Sequence, residues 1–131
     1  MTVSTIELTG IRKSFGPVEV LKDVNFSANA GEVTALVGDN GAGKSTLIKG
    51  LSGVQPYDSG IVKFNGDDVE ISSPLFARNL GIEVVYQDLA LCENLDIVQN
   101  MFLGHETLLT GTLNEPEMEL EATKALKSLS V

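Results

Sequence analysis

Gly38, Asp39, Asn40, Gly41, Ala42, Gly43, Lys44, Ser45 and Thr46 fit the spacing G-x-x-x-x-G-K-[ST], and the residue types suit phosphate binding. Glycines let successive backbone N–H groups turn toward one anion, and a helix beginning near Gly43 adds the positive end of its dipole. Lys44 can reach the β- and γ-phosphates, and the Ser45 hydroxyl is an oxygen ligand suited to Mg²⁺. The stretch reads as a nucleoside triphosphate site. The plain alternative is a Gly-rich turn before an ordinary helix. What precedes the loop argues against it: Val33, Thr34, Ala35, Leu36 and Val37 form an apolar, β-branched run suited to a strand buried on both faces, so strand, loop and helix follow in order.

The elements that must hold this loop are legible from period and punctuation. Residues 5–9 alternate, with Ile6 and Leu8 on one face, and predict a half-buried strand interrupted by Gly10. A turn at Ser14, Phe15, Gly16 and Pro17 leads to a second extended run over 18–26, which should pair antiparallel with the first. Leu47, Ile48 and Leu51 give the loop helix an apolar side, and Gly53 stands where a left-handed residue would end it. Residues 56–60 read as a loop. Runs at 61–64 and 69–71 flank Asn65-Gly66, predicting a hairpin that joins the first two strands.

Ser73 followed by Pro74 starts a short helix that Gly81 stops, and residues 81–87 form a further apolar strand ending at Gln87, where ligand groups of open α/β sheets lie. Asp96 with Gln99 predicts a capping box opening a helix through Leu103, and Asn114 with Glu117 repeats that spacing. The last helix runs to about Leu129, with Met118, Ala122, Ala125, Leu126 and Leu129 as one apolar packing stripe.

Composition narrows the partners. A net charge of −9, with nine Lys and Arg spread singly along 131 residues, argues against nucleic acid or an anionic membrane surface as the main partner, and its plain reading is solubility. A single cysteine, Cys92, allows no internal disulfide and fits a reducing compartment. His105 is the only histidine and sits in a polar connection, which suits a solvated loop residue better than a ligand or base. Neither a secretory signal nor a run long enough to span a membrane is visible.

Taken in order, these features resemble the ATP-binding domain of ABC transporters, over essentially every residue. Phe15-Gly16 ahead of the loop, the form Gly-x-Asn-Gly-Ala-Gly-Lys-Ser-Thr, and a strand ending at Gln87 carry the resemblance. Residues 82–91 and 100–104 are similar to the simple-sugar importers of the ribose, galactose and fructose type. The resemblance implies an α/β fold: a partial P-loop NTPase of ABC type, with an antiparallel β subdomain, an incomplete parallel core and the start of a helical subdomain. Its division would be 1–90 for the ATP-binding core and 91–131 for the beginning of the helical part.

It implies ATP and Mg²⁺ as cofactors. Phe15 would stack on adenine; Gly38, Asn40, Gly41, Ala42, Gly43, Lys44, Ser45 and Thr46 would bind phosphates; Ser45 and Gln87 would meet the metal. Gln87, sensing the γ-phosphate, and Lys44 would serve catalysis. As bland alternatives, Phe15 is a core residue at a strand end and Gln87 a surface glutamine.

The implied partners are transmembrane permease subunits reached through the region after Gln87, a second ATP-binding domain and, indirectly, a periplasmic or extracellular sugar-binding protein. The implied location is cytoplasmic, peripheral on the inner face of the cell membrane. No residues match the family's Leu-Ser-Gly-Gly-Gln signature, its catalytic glutamate or its switch histidine, since Leu51-Ser52-Gly53 lies in the wrong place. The chain is therefore expected to be the N-terminal part of an ATPase subunit of a sugar importer, binding ATP without hydrolysing it alone. The alternatives are a non-catalytic nucleotide-binding or interaction module and, less fitting with Arg12 and Arg78 the only arginines, a small P-loop metabolite kinase.

Overall fold

A computed structural model describes residues 4–86 and 91–130. They divide into two compact units, Met1–Val85 and Tyr86–Val131.

The first unit is built on an antiparallel sheet. Strand β1 (Ser4–Phe15) turns at Gly16 and Pro17 into β2 (Val18–Asn29), and β3 (Ser59–Phe64) pairs on the other side of β1. A two-residue β4 (Asp67–Asp68) completes the order β2-β1-β3-β4. Gly10 does not end the first strand, as its residue type suggested. The register slips there against both neighbours, between Leu8 and Ile11 on one side and between Thr9 and Arg12 on the other. This bulge puts one extra residue between Leu8 and Ile11, so both face the core although they are three apart. The 61–64 strand and its Asn65-Gly66 turn form as expected, but the return strand is only Asp67–Asp68, followed by one more bond from the Val69 N–H to the Val62 carbonyl at 2.9 Å, and Ile71 joins the core.

Helix α1 (Lys44–Leu51) lies against this sheet, burying Leu47, Gly50 and Leu51 at i, i+3, i+4 spacing. Each buried leucine contributes about 1.5–3 kcal/mol. Gly53, at φ +74°, ends the helix: its N–H donates to the Gly50 carbonyl and the Val54 N–H to that of Lys49, both at 3.1 Å. Ser73 caps α2 (Pro74–Asn79) by accepting from the Phe76 N–H. Ala77 from α2 joins Leu8, Ile11, Leu21, Leu47, Leu51, Val62 and Ile71 in one core.

Two expected strands are not strands. Residues 33–37 and 82–86 take no regular secondary structure and join no ladder among the described residues, and Val33, Val37 and Val85 are almost wholly exposed. Apolar β-branched sequence favours extended backbone, but a strand exists only when a neighbour completes its N–H and C=O ladder.

In the second unit, Asp96 and Gln99 form the expected capping box on α3 (Ile97–Phe102). A short ribbon, β5 (Leu108–Leu109) with β6 (Thr112–Leu113), precedes α4 (Glu115–Ser128). The second expected box fails. Asn114 has ψ 70°, outside the extended region a cap residue takes, and its amide donates to the Glu117 carboxylate instead of accepting from the helix. Of the apolar stripe on α4, Met118 and Ala122 are buried, Leu126 is half-buried, and Ala125 and Leu129 are exposed, so its first half packs most fully. Among the described residues no helix is long and apolar enough to cross a membrane.

Candidate functional site

The loop at 38–46 closes on itself before it enters α1. The Lys44 ammonium folds back to donate to the carbonyls of Gly38 at 2.5 Å and Asp39 at 2.7 Å, while the Ala42 N–H donates to the Asp39 carbonyl at 3.1 Å. Gly43 makes the entry to the helix possible. It has φ +90°, and a Cβ there would lie 2.8 Å from Leu21 Cδ2 and 3.2 Å from the Val20 carbonyl, so β2 presses directly on the loop. The first helical bond runs from the Leu47 N–H to the Gly43 carbonyl at 2.9 Å, and no side chain caps the helix. The N–H groups of Lys44, Ser45 and Thr46 therefore lack intrahelical acceptors, which is the arrangement that receives an anion.

At Gly38 the loop is at contact distance from Ala42: a Cβ there would stand 3.4 Å from Ala42 Cβ, an ordinary contact. Asn40, Gly41, Ala42 and Ser45 are exposed, and Lys44 and Thr46 are half-buried. Chemically this set fits a nucleotide polyphosphate with its metal: helix-end N–H groups and one ammonium for anionic oxygens, one exposed hydroxyl for a hard cation. Gln87, expected to meet the metal and the γ-phosphate, lies outside the described residues. Among the described residues no cluster of three His, Cys, Asp or Glu side chains could hold a metal alone.

Phe15 stands at the end of β1 and is 43% exposed, which removes the reading of it as a core residue. The Lys13 ammonium lies 5.6 Å from the centre of its ring, within cation–π reach.

Residues 56–60, which the sequence marks only as a loop, connect these parts. Tyr57 packs on the helix face at Gly50 and its hydroxyl donates to the Leu47 carbonyl at 2.6 Å. Burial pushes its pKa well above the ordinary phenol value, only partly opposed by the Leu51 backbone. The Asp58 carboxylate accepts from Lys13 Nζ at 2.8 Å and from the Ser14 N–H at 2.7 Å, and both hold its pKa below the usual carboxylate value, Lys13 more strongly. The one signal in the sequence was Gly50, a glycine on the buried side of a helical pattern, which marks a close approach by another group.

Sheet hairpin, curled glycine loop and uncapped helix together define a nucleotide-binding protein of the phosphate-loop class. The profile of the ABC transporter family matches residues 21–131, so the chain belongs to that family. It is 48% identical over 126 residues to the xylose/arabinose import ATP-binding protein XylG of Sulfolobus acidocaldarius, covering 96% of this chain and 50% of that protein. To the ribose import ATP-binding protein RbsA of Chromobacterium violaceum it is 42% identical over 124 residues, covering 95% of this chain and 25% of that one. Among solved structures, an ATP-binding cassette of an ABC transporter superposes with a TM-score of 0.79 at 27% identity, over 99% of this chain and 55% of the other. A nucleotide-free ATP-binding cassette gives 0.74 at 27% identity, over 97% and 53%. The chain thus spans about half the length of the first of these curated relatives and a quarter of the second.

Proposed function

We propose that the chain is the nucleotide-binding part of an ATPase subunit that drives sugar import, and that residues 38–46 bind ATP. The observation that carries this is the loop itself: Lys44 curled over the Gly38 and Asp39 carbonyls at the head of a helix with free first-turn N–H groups. In this reading Gly38, Asn40, Gly41, Ala42 and Gly43 supply the backbone cradle. Lys44 turns from its own carbonyls to the β- and γ-phosphates, Ser45 and Thr46 complete the phosphate contacts, and Phe15 stacks on adenine. Ser45, with Gln87, holds Mg²⁺, which when bound supplies positive charge to the phosphate oxygens.

Hydrolysis belongs to the assembled transporter, where water attacks the γ-phosphorus in line and the bond to the β-bridging oxygen breaks. Lys44 contributes by stabilising the negative charge that spreads over the transferring group. Residues 91–131 begin the helical subdomain, the region after Gln87 faces the permease, and the second ATP-binding domain completes each site. The subunit then works on the cytoplasmic face of the membrane, the sugar being delivered by a separate binding protein. The names of the two importer relatives support the substrate class.

A calorimetric titration with Mg-ATP, run beside Lys44→Ala with circular dichroism to confirm folding, tests the site. The expected result is binding in the unaltered chain and none measurable in the variant. Equal affinity in both would refute the assignment.

A further inference from the structure

A nucleotide held by both the phosphate loop and the Phe15 ring needs those two features at a fixed separation, yet they belong to different elements. One dipeptide reaches both. Tyr57 anchors to α1, its hydroxyl on the Leu47 carbonyl at 2.6 Å and its ring in the space that a Cβ at Gly50 would invade, 2.0 Å from Cε1. Asp58, the next residue, grips the end of β1 at three successive positions. Its N–H donates to the Arg12 carbonyl at 2.9 Å, its Oδ1 accepts from Lys13 Nζ at 2.8 Å and its Oδ2 accepts from the Ser14 N–H at 2.7 Å. Phe15 follows immediately, with Lys13 over its ring at 5.6 Å.

We propose that Tyr57 and Asp58 form a strut that sets the Phe15 ring relative to the phosphate-loop helix, making both positioning residues for the base end of the nucleotide. The inference rests on the proposed ATP site and goes beyond it by assigning two residues outside the loop. Neither touches the ligand. Their effect comes through pre-organisation: a ring already held in place forfeits little freedom when a base stacks on it, so more of the stacking appears as affinity.

The strut predicts a split between two ligands. Mg-ATP uses loop and ring, whereas inorganic tripolyphosphate with Mg²⁺ uses the loop alone. Both are titrated calorimetrically into the chain and into Asp58→Ala, Asp58→Asn and Phe15→Ala, with Ser14 amide exchange followed by NMR. Asp58→Ala is expected to weaken ATP about three- to tenfold, an exposed charged hydrogen bond being worth modestly more than a neutral one, and to leave tripolyphosphate unchanged. Its Ser14 amide should exchange faster. Asp58→Asn keeps an oxygen for the Ser14 N–H and should recover part of the loss, which also covers the case in which the alanine variant does not fold.

Loss of ATP affinity in Phe15→Ala but not in either Asp58 variant would overturn the strut while leaving the stacking role intact. No loss in Phe15→Ala would overturn the stacking role and the strut with it. Equal weakening of both ligands in Asp58→Asn would reduce Asp58 to a general structural role. A chain that binds neither ligand would refute the proposed site, and the strut falls with it.

Discussion

Replacing Gly50 by alanine sets two physical effects against each other. In an open helix the change stabilises by about 1 kcal/mol, because alanine loses less backbone freedom on folding. At this position the new Cβ would lie 2.0 Å from Tyr57 Cε1, 2.2 Å from Cζ and 2.7 Å from Cδ1. Since carbon contacts settle near 3.5 Å, the ring must retreat by about 1.5 Å. The retreat costs about 1–3 kcal/mol as overpacking. It also carries the hydroxyl away from the Leu47 carbonyl, a further loss of about 1 kcal/mol. Set against the gain in propensity, the net is a destabilisation of about 1–3 kcal/mol.

Urea unfolding followed by circular dichroism measures this directly. The discriminating step is the same substitution in a Tyr57→Ala background. With the ring gone the clash disappears, and Gly50→Ala should then stabilise by up to about 1 kcal/mol. A reversal of sign between the two backgrounds is the signature expected. Stabilisation in the native background would refute the reasoning, because it would mean that the ring does not rest on Gly50.

Other consequences can be measured separately. Burial raises the Tyr57 pKa in the folded state, so its contribution to stability should be complete below the ordinary value of 10.0 and decline as pH rises above it. Tyr57→Phe should remove that alkaline decline, and an unchanged alkaline limb would contradict the burial of the phenol. Gly43→Ala combines a left-handed backbone at φ +90° with a contact 2.8 Å from Leu21 Cδ2; a urea-unfolding loss of about 2–4 kcal/mol is expected, with loss of tripolyphosphate binding. Asn100 donates to the carbonyls of Cys92, Leu95 and Asp96, each at 3.0 Å, and accepts from the Cys92 N–H at 2.8 Å. Asn100→Ala should open that turn and speed labelling of the half-buried Cys92 thiol by about tenfold or more, whereas an unchanged rate would show that the turn holds without the amide.

Much of this protein is local in origin and was legible for that reason. The phosphate loop, the capping box at Asp96 and Gln99, the Asn65-Gly66 turn and the glycine stop at Gly53 each depend on a few adjacent residues whose backbone preferences suffice. The antiparallel pairing of the first two extended runs was equally legible, since a short turn leaves their ends together. Asn114 shows the limit of such reading. It has the right neighbour in Glu117, but its N–H is tied across the ribbon to the Thr107 carbonyl at 2.7 Å and its backbone, at φ −92° and ψ 70°, is not in the cap conformation.

Residue types and spacing alone set the chemistry on offer: glycines, a lysine and a hydroxyl in a spacing that presents N–H groups and a cation to phosphate. Tertiary structure decided the rest, because it depends on groups distant in the chain. Gly10 became a bulge only through two neighbouring strands, one of them some fifty residues later, and the runs at 33–37 and 82–86 failed to become strands for want of a paired neighbour. Lys13, Tyr57 and Asp58 gained their places only when β1 and α1 came within reach of the loop between them, where side chains more than forty positions apart form hydrogen bonds that no periodicity encodes.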